Sequence, residues 1–280
     1  MRLGQIRSNG ATVAAVFEKD GAHPIPVHTL YDLIKRSADE SIALSELAHH
    51  LESRVADPAS ATIPIHPPEV WACGCTYATS ATFRDAEQGT REGMYAHVYR
   101  EPRPEIFFKG TSRVCVGPGK NIGMRSDSKF TAPEPELAVL LGKGGAILGY
   151  TLANDVSAWD IERENALYLP QSKFYNCCCA LGPVIVTPDE LTDPYSLTIT
   201  CAIQRGDRAI FEGSVSTSKL HRKIETLIEY LYRANNVPAG SVLLTGTGII
   251  VKEDAALAPG DSVSIEAPEI GTLTNAVVAV

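Results

Sequence analysis

Three carboxylates carry the chemistry this sequence is best placed to do. Glu134 and Glu136 stand two apart in the extended, proline-interrupted run PEPELAVLLG, and because strand side chains alternate faces, both point the same way. Like charges so placed repel unless something positive sits between them. Asp155 closes a second strand-like run, GAILGYTLAND, and a hairpin turning at Gly144–Gly145 would bring it beside the pair. The set is oxygen-only, with no His or Cys, and suits a hard cation: Mg2+ first, then Mn2+ or Ca2+. An E-x-E pair alone also fits a solvated acidic strand edge. The apolar LAVLL that follows at once puts these acids at the border of a core.

Other residues could act on a molecule held there. Glu105 and Lys109, four apart in PEIFFKG, share a strand face with Phe107. A carboxylate and an ammonium beside an aromatic ring form a candidate acid–base pair, since burial raises the one pKa and lowers the other; an exposed strand salt bridge is the plain alternative. Lys173, in the apolar setting of YLPQSKFY, is a candidate proton acceptor if desolvation and a nearby metal charge lower its pKa toward neutrality. Ser80, Arg84 and Glu87 fall at helical spacing, and an Arg84–Glu87 surface pair by itself is worth under about 1 kcal/mol. Thr245-Gly246-Thr247-Gly248 ends a buried strand, where glycines free backbone amides and threonine hydroxyls can donate to a carboxylate.

These residues need a scaffold, and the pattern describes one. MRLGQIRS and TVAAVFEKDG read as a hairpin turning at Asn9-Gly10, and Tyr31–Arg36 and Leu44–Arg54 carry helical spacing with Ser41 or Ser45 as candidate caps. His49 and His50 read as part of a solvated face. The expected organisation is a small leading lobe over residues 1–60, a linker at 61–68, and a catalytic domain over 69–280. In that domain VWACG is a short buried strand, a helix begins near Ser80, and Arg205-Gly206-Asp207 tips a hairpin. HRKIETLIEYLYRAN is a scaffold helix with Ile224, Leu227, Ile228 and Leu231 as its apolar stripe. The fold class is α+β and rich in β.

Composition narrows the function classes. A chain of 280 residues with 44% hydrophobic and 21% charged residues is an ordinary globular protein. No apolar run reaches the roughly 18 to 20 residues of a membrane span, and the polar-interrupted N-terminus is not a signal peptide, so the cytoplasm is expected. A net charge of −8 speaks against nucleic acid or an anionic membrane as partner. The seven cysteines are odd in number and badly spaced for disulfides or zinc, and read as buried thiols.

The string PEPELAVLLG…GYTLANDVSAWD resembles the metal-binding signature of the fumarylacetoacetate hydrolase family. ENALYLPQSKFYNCCCALGP is similar to its 2-keto-3-deoxy-arabinonate dehydratase branch, and the likeness runs from about Trp71 to the C-terminus. The resemblance implies a small N-terminal α/β lobe, a C-terminal mixed β-roll and a homodimer or higher homo-oligomer. It implies a Mg2+-dependent lyase that dehydrates a small anionic sugar acid such as 2-keto-3-deoxy-D-arabinonate to 2,5-dioxopentanoate. Glu134, Glu136 and Asp155 then hold metal, Lys173 and Glu105 are catalytic, and Ser80, Arg84, Phe107, Lys109 and Thr247 border the substrate. Three positions depart from the family pattern: Phe83 stands where the branch usually has Ala, Trp159 where relatives generally carry Arg, and Ala166 where the branch prefers Pro. The alternatives are an acylpyruvate-type carbon–carbon hydrolase or oxo-acid decarboxylase on the same scaffold, or a family member without turnover. Family hydrolases look to a His shortly after the Thr76-Tyr77 turn; here the first is His97, in a helical stretch expected to serve packing.

Overall fold

Alternating apolar residues set the strands of this protein, and glycine or asparagine sets the turns. The structure, a computed structural model, describes residues 1–87 and 93–280, with the side chain of Glu87 also outside the description. β1 (Arg2–Ser8) and β2 (Ala11–Glu18) form the expected hairpin. Asn9 and Gly10 at its tip take φ of 49° and 80°, the left-handed pair that a two-residue turn between twisted strands requires. β3 (Gly21–Ile25), α1 (Leu30–Glu40) and α2 (Leu44–Leu51) follow. Thr29 and Asp32 make a capping box at the start of α1. Neither serine proposed as a cap starts a helix: Ser41 closes α1 in the left-handed conformation, and α2 begins without a side-chain cap.

The next unit is β4 (Val70–Gly74), α3 (Ala78–Glu87), α4 (Met94–Arg100) and β5 (Glu105–Gly110). Short strands β6 (Cys115–Val116), β7 (Ile122–Met124) and β8 (Thr131–Ala132) lead to β9 (Pro135–Leu141) and β10 (Ile147–Asp155). After β11 (Ser157–Ala158), the short helices α5 (Trp159–Glu164) and α6 (Leu169–Lys173) return the chain to β12 (Cys179–Val186). β13 (Thr198–Arg205) and β14 (Arg208–Ser216) pair through a tip at Gly206. Then come α7 (Ile224–Tyr232), β15 (Val242–Leu244), β16 (Ser262–Ala267) and β17 (Gly271–Ala279).

A large mixed sheet runs in the order β3-β2-β1-β12-β10-β9-β15-β4-β5, with β6 on β12, and a second runs β14-β13-β16-β17-β7. β1 pairs with β12, so the leading strands continue the large sheet. The chain is α+β and strand-rich, as expected. No helix among the described residues is long and apolar enough to cross a membrane.

The period of two decides where the chemistry sits. On β9, Leu137, Val139 and Leu141 enter the core shared with the second sheet, whereas Ala138 and Leu140 enter the core under α1 and α2. α7 presents Ile224, Leu227, Ile228 and Leu231 to the first core. Glu134 and Glu136 have the parity of Ala138, Asp155 that of Ala153, and Glu105 and Lys109 that of Phe107, all on the second side. Five candidate residues from three strands thus share one face of one sheet.

Candidate active site

The hairpin of β9 and β10 builds the centre of the site. Its register pairs Glu136 with Ala153 and Pro135 with Asn154, and the Asp155 N–H donates to the Glu134 carbonyl at 2.9 Å. One oxygen from each of Glu134, Glu136 and Asp155 falls within 4.8 Å of the others. All three side chains are buried, with residue exposures of 4%, 1% and 1%. The turn that makes this possible passes Gly144 and Gly145, both at positive φ.

Among the described residues, three cations are buried against these acids. Lys173, at the end of α6, stands 2.9 Å from Glu134, 3.2 Å from Asp155 and 3.8 Å from Glu162, and donates to Ser157 Oγ at 2.6 Å. Lys109 lies 2.5 Å from Asp155 and donates to the Val156 carbonyl. Arg84, on α3, reaches both oxygens of Glu134 at 3.0 and 3.1 Å and lies 3.1 Å from Glu162. The indole N–H of Trp159 donates to Glu134 Oε1 at 3.1 Å, and the amide of Gly246 donates to Glu136 Oε2 at 2.5 Å.

The electrostatics follow from this packing. Burial alone would raise Glu134, but Lys173 and Arg84 outweigh it and hold the carboxyl at about 2. Glu136 is pushed far up, first by burial and then by the charges of Asp155 and Glu134. For the two lysines the neighbouring acids outweigh burial in the protein alone. Burial does oppose their charge, yet Asp155 raises Lys109, and Asp155, Glu134 and Glu162 together raise Lys173. A divalent ion on the same carboxylates would cancel much of that field.

Glu105 stands apart from this network, at the wall of a cavity of about 490 Å³ that Tyr95, Glu162 and Leu169 also line. It pairs in the ladder with Gly74, where an added Cβ would come within 2.0 Å of Glu105 Oε2. Its partner is the thiol of Cys75, at 3.4 Å. Burial, the largest influence, raises its carboxyl. Arg222 supports the wall by donating to the carbonyls of Val98, Glu101 and Pro102 as α4 ends.

The sequence candidates meet unevenly. Glu134, Glu136, Asp155, Lys173, Lys109 and Arg84 form one ion-pair cluster, and the Phe107 ring centre lies 5.7 Å from Lys173 Nζ. Ser80 and Thr247 border a small cavity beside Glu134. The Thr247 hydroxyl is engaged with the backbone of Ile249, so it is the neighbouring amide of Gly246 that reaches a carboxylate. Arg84 is no surface residue, being 3% exposed, and Lys109 is no partner of Glu105. His97 does not pack: its side chain is 67% exposed at the cavity mouth, near Glu101. All seven cysteines are free, five of them buried.

Sequence reasoning missed Glu162, fully buried between Arg84 and Lys173. The signal was there, since Trp159 and Glu162 lie three apart on one face of α5. Ser157, which receives Lys173, was passed over because its role needs a contact 16 residues away in sequence.

Comparison with known proteins bears on this geometry. Residues 69–278 match the family described as fumarylacetoacetate (FAA) hydrolase C-terminal. The chain belongs to the fumarylacetoacetate hydrolase family. A 2-dehydro-3-deoxy-D-arabinonate dehydratase of Saccharolobus solfataricus is 52% identical over 219 residues, covering 77% of this chain and 74% of its own. A probable 2-keto-3-deoxyxylonate dehydratase of Haloferax volcanii is 40% identical over 260 residues, covering 91% and 89%. Among solved structures, a 2-keto-3-deoxy-D-arabinonate dehydratase complexed with magnesium and 2,5-dioxopentanoate superposes with a TM-score of 0.85 at 41% identity. That match covers 100% of this chain and 99% of the other.

The chemistry of the three-carboxylate cluster in this family member suits a divalent ion. Among the described residues, the four clustered carboxylates Glu134, Glu136, Asp155 and Glu162 face the three cations Arg84, Lys109 and Lys173. The acids are in excess, and a divalent ion among them would leave the cluster positive toward an anionic substrate. The upward push on Glu136 is what crowded carboxylates undergo when protein cations alone must neutralise them. The donors are all oxygen, as Mg2+ prefers.

Proposed function

We propose that this protein is a Mg2+-dependent hydro-lyase that dehydrates a 2-keto-3-deoxy sugar acid of the arabinonate type to 2,5-dioxopentanoate. One observation carries the reading: a buried three-carboxylate cluster lies beside Lys173, with a separate Glu105 whose carboxyl burial raises, in a chain related over most of its length to such dehydratases. Mg2+ held by Glu134, Glu136 and Asp155 would polarise the carbon-2 carbonyl of a bound 2-oxo acid and acidify the protons on carbon 3.

Lys173 is then the proton acceptor. To act it must be neutral, and its ion pairs with Glu134 and Asp155 are the ones an ion on those carboxylates would weaken. Glu105 is the acid. With its carboxyl raised by burial at the cavity wall, it gives a proton to the departing carbon-4 hydroxyl, so the elements lost are one proton from carbon 3 and hydroxide from carbon 4. The unsaturated acid isomerises to the aldehyde. Phe107 packs beside Lys173, Ser80 and Thr247 border the small cavity beside Glu134, and Arg84 and Lys109 hold ligand carboxylates while adding positive charge for the anion. With an oxo group at carbon 2 and no hydroxyl at carbon 3, an arabinonate- or xylonate-derived acid retains only the stereocentre at carbon 4.

Residues 1–60 serve as a leading lobe and 69–280 as the catalytic body; the family match beginning at residue 69 supports that division. Seven free thiols support a reducing, cytoplasmic setting, and the homodimer rests on family resemblance. The deciding experiment supplies 2-keto-3-deoxy-D-arabinonate to chelator-stripped protein with and without Mg2+, beside an acylpyruvate. Metal-restored formation of 2,5-dioxopentanoate is expected. Cleavage of the acylpyruvate with no dehydration would instead make the protein a hydrolase.

A further inference from the structure

Trp159 heads α5, its main-chain N–H bound to the Phe130 carbonyl at 2.7 Å. The residue is 4% exposed, and its ring packs against three side chains. Phe83 meets it edge-on at 5.3 Å, Phe130 stacks at 6.2 Å, and the Arg84 guanidinium lies 5.4 Å from the ring centre. Packing of that kind needs no particular acceptor, but a buried indole N–H does, because leaving it unpaired is costly. The acceptor it finds is Oε1 of Glu134, at 3.1 Å.

That choice matters because no other described donor singles out this oxygen. Arg84 Nη2 is 3.0 Å from Oε1 and 3.1 Å from Oε2, so it neutralises the carboxylate without telling its oxygens apart. Lys173 pairs with Oε2 at 2.9 Å. Trp159 donates to Oε1 alone, and being neutral it leaves the charge of the cluster unchanged.

We propose that Trp159 is a positioning residue for metal binding: its indole N–H pins Oε1 of Glu134, so that Oε2 is the oxygen presented to the ion and to Lys173. The inference rests on the metal reading above and gives this residue a role that its packing does not require. Partners that orient metal-binding side chains contribute roughly 10- to 100-fold to metal affinity when removed.

The test measures Mg2+ binding directly. Calorimetric titration of chelator-stripped Trp159→Phe, with folding checked by circular dichroism, should give a dissociation constant about 10- to 100-fold above that of the unaltered protein. Saturating Mg2+ should restore kcat, since the indole is not asked to touch substrate. Phe83→Ala loosens the same ring without removing the N–H, and should lower thermal stability while leaving Mg2+ affinity within about twofold, a change of under about 0.5 kcal/mol. Equal loss of affinity in both variants would assign the effect to packing and overturn the proposal, as would an unchanged constant in folded Trp159→Phe. Should Trp159→Phe not fold, Trp71→Phe leaves Trp159 as the single tryptophan of the two in the chain. Its emission should then shift on Mg2+ addition, and a silent titration refutes the inference. Unaltered protein that took up no Mg2+ would sink the metal reading itself, an outcome separate from these.

Discussion

Replacing Lys173 by Met keeps the apolar stem and removes one buried charge. The ammonium touches Glu134, Asp155 and Glu162, so among the described residues the variant leaves four clustered carboxylates against two cations. Breaking a buried ion pair by removing one partner costs roughly 3–5 kcal/mol. For a chain of this size each kcal/mol moves Tm by about 2–4 °C, so chelator-treated Lys173→Met should melt roughly 6–20 °C below the unaltered protein. An ion at 100 times its Kd returns about 2.7 kcal/mol, and the loss of Lys173 removes its main competitor on the carboxylates. The gap in Tm should therefore narrow when Mg2+ is added. Turnover should not follow, because a missing general base costs about 10²- to 10⁴-fold whatever the fold's stability. Thermal melts with chelator and with a Mg2+ series, beside product formation, separate the two effects. A variant that melts with the unaltered protein in chelator would refute the ion-pair reasoning. Undiminished turnover would remove Lys173 from the mechanism.

Glu105→Gln should lower kcat by roughly 10²- to 10⁴-fold and flatten the alkaline limb of the pH profile, measured as initial rates across pH. The folded-state pKa of Glu105 is raised above its unfolded value by burial, so its contribution to stability is full below the unfolded value and lost as pH rises through the folded one. Glu105→Gln should accordingly melt higher than the unaltered protein at neutral pH and lose that advantage in acid. Gly74→Ala puts a Cβ 2.0 Å from Glu105 Oε2, the far end of a side chain that can swing away. Folding should survive, calorimetric Mg2+ binding should be unchanged, and kcat should drop about 10²-fold because the acid is displaced by about 1 Å. Gly246→Ala strains a backbone at φ +93° and brings a Cβ 2.0 Å from Thr76 Oγ1. Moving the amide that serves Glu136 should raise the Mg2+ dissociation constant at least tenfold, and the strained residue should cost about 1–2 kcal/mol of stability by denaturant titration.

Local pattern was enough for part of this protein. Spacing of two put Glu134 and Glu136 on one side of a strand, Gly144–Gly145 marked the turn that brings Asp155 to them, and the stripe on α7 was legible at four positions. These features depend on periods of two and 3.6 and on glycine conformations, which a linear sequence carries. The family likeness added the roles of Lys173 and Glu105, which spacing alone left open. Only the tertiary structure decided which cation serves which acid. Arg84 looked like a surface residue and is buried on Glu134; Lys109 looked like the partner of Glu105 and lies on Asp155; Glu162 and Trp159 drew no role at all. Pairings of that kind join residues tens of positions apart. They are set by which strands become neighbours and by the need of each buried charge for a partner, and neither is written in any one stretch of chain.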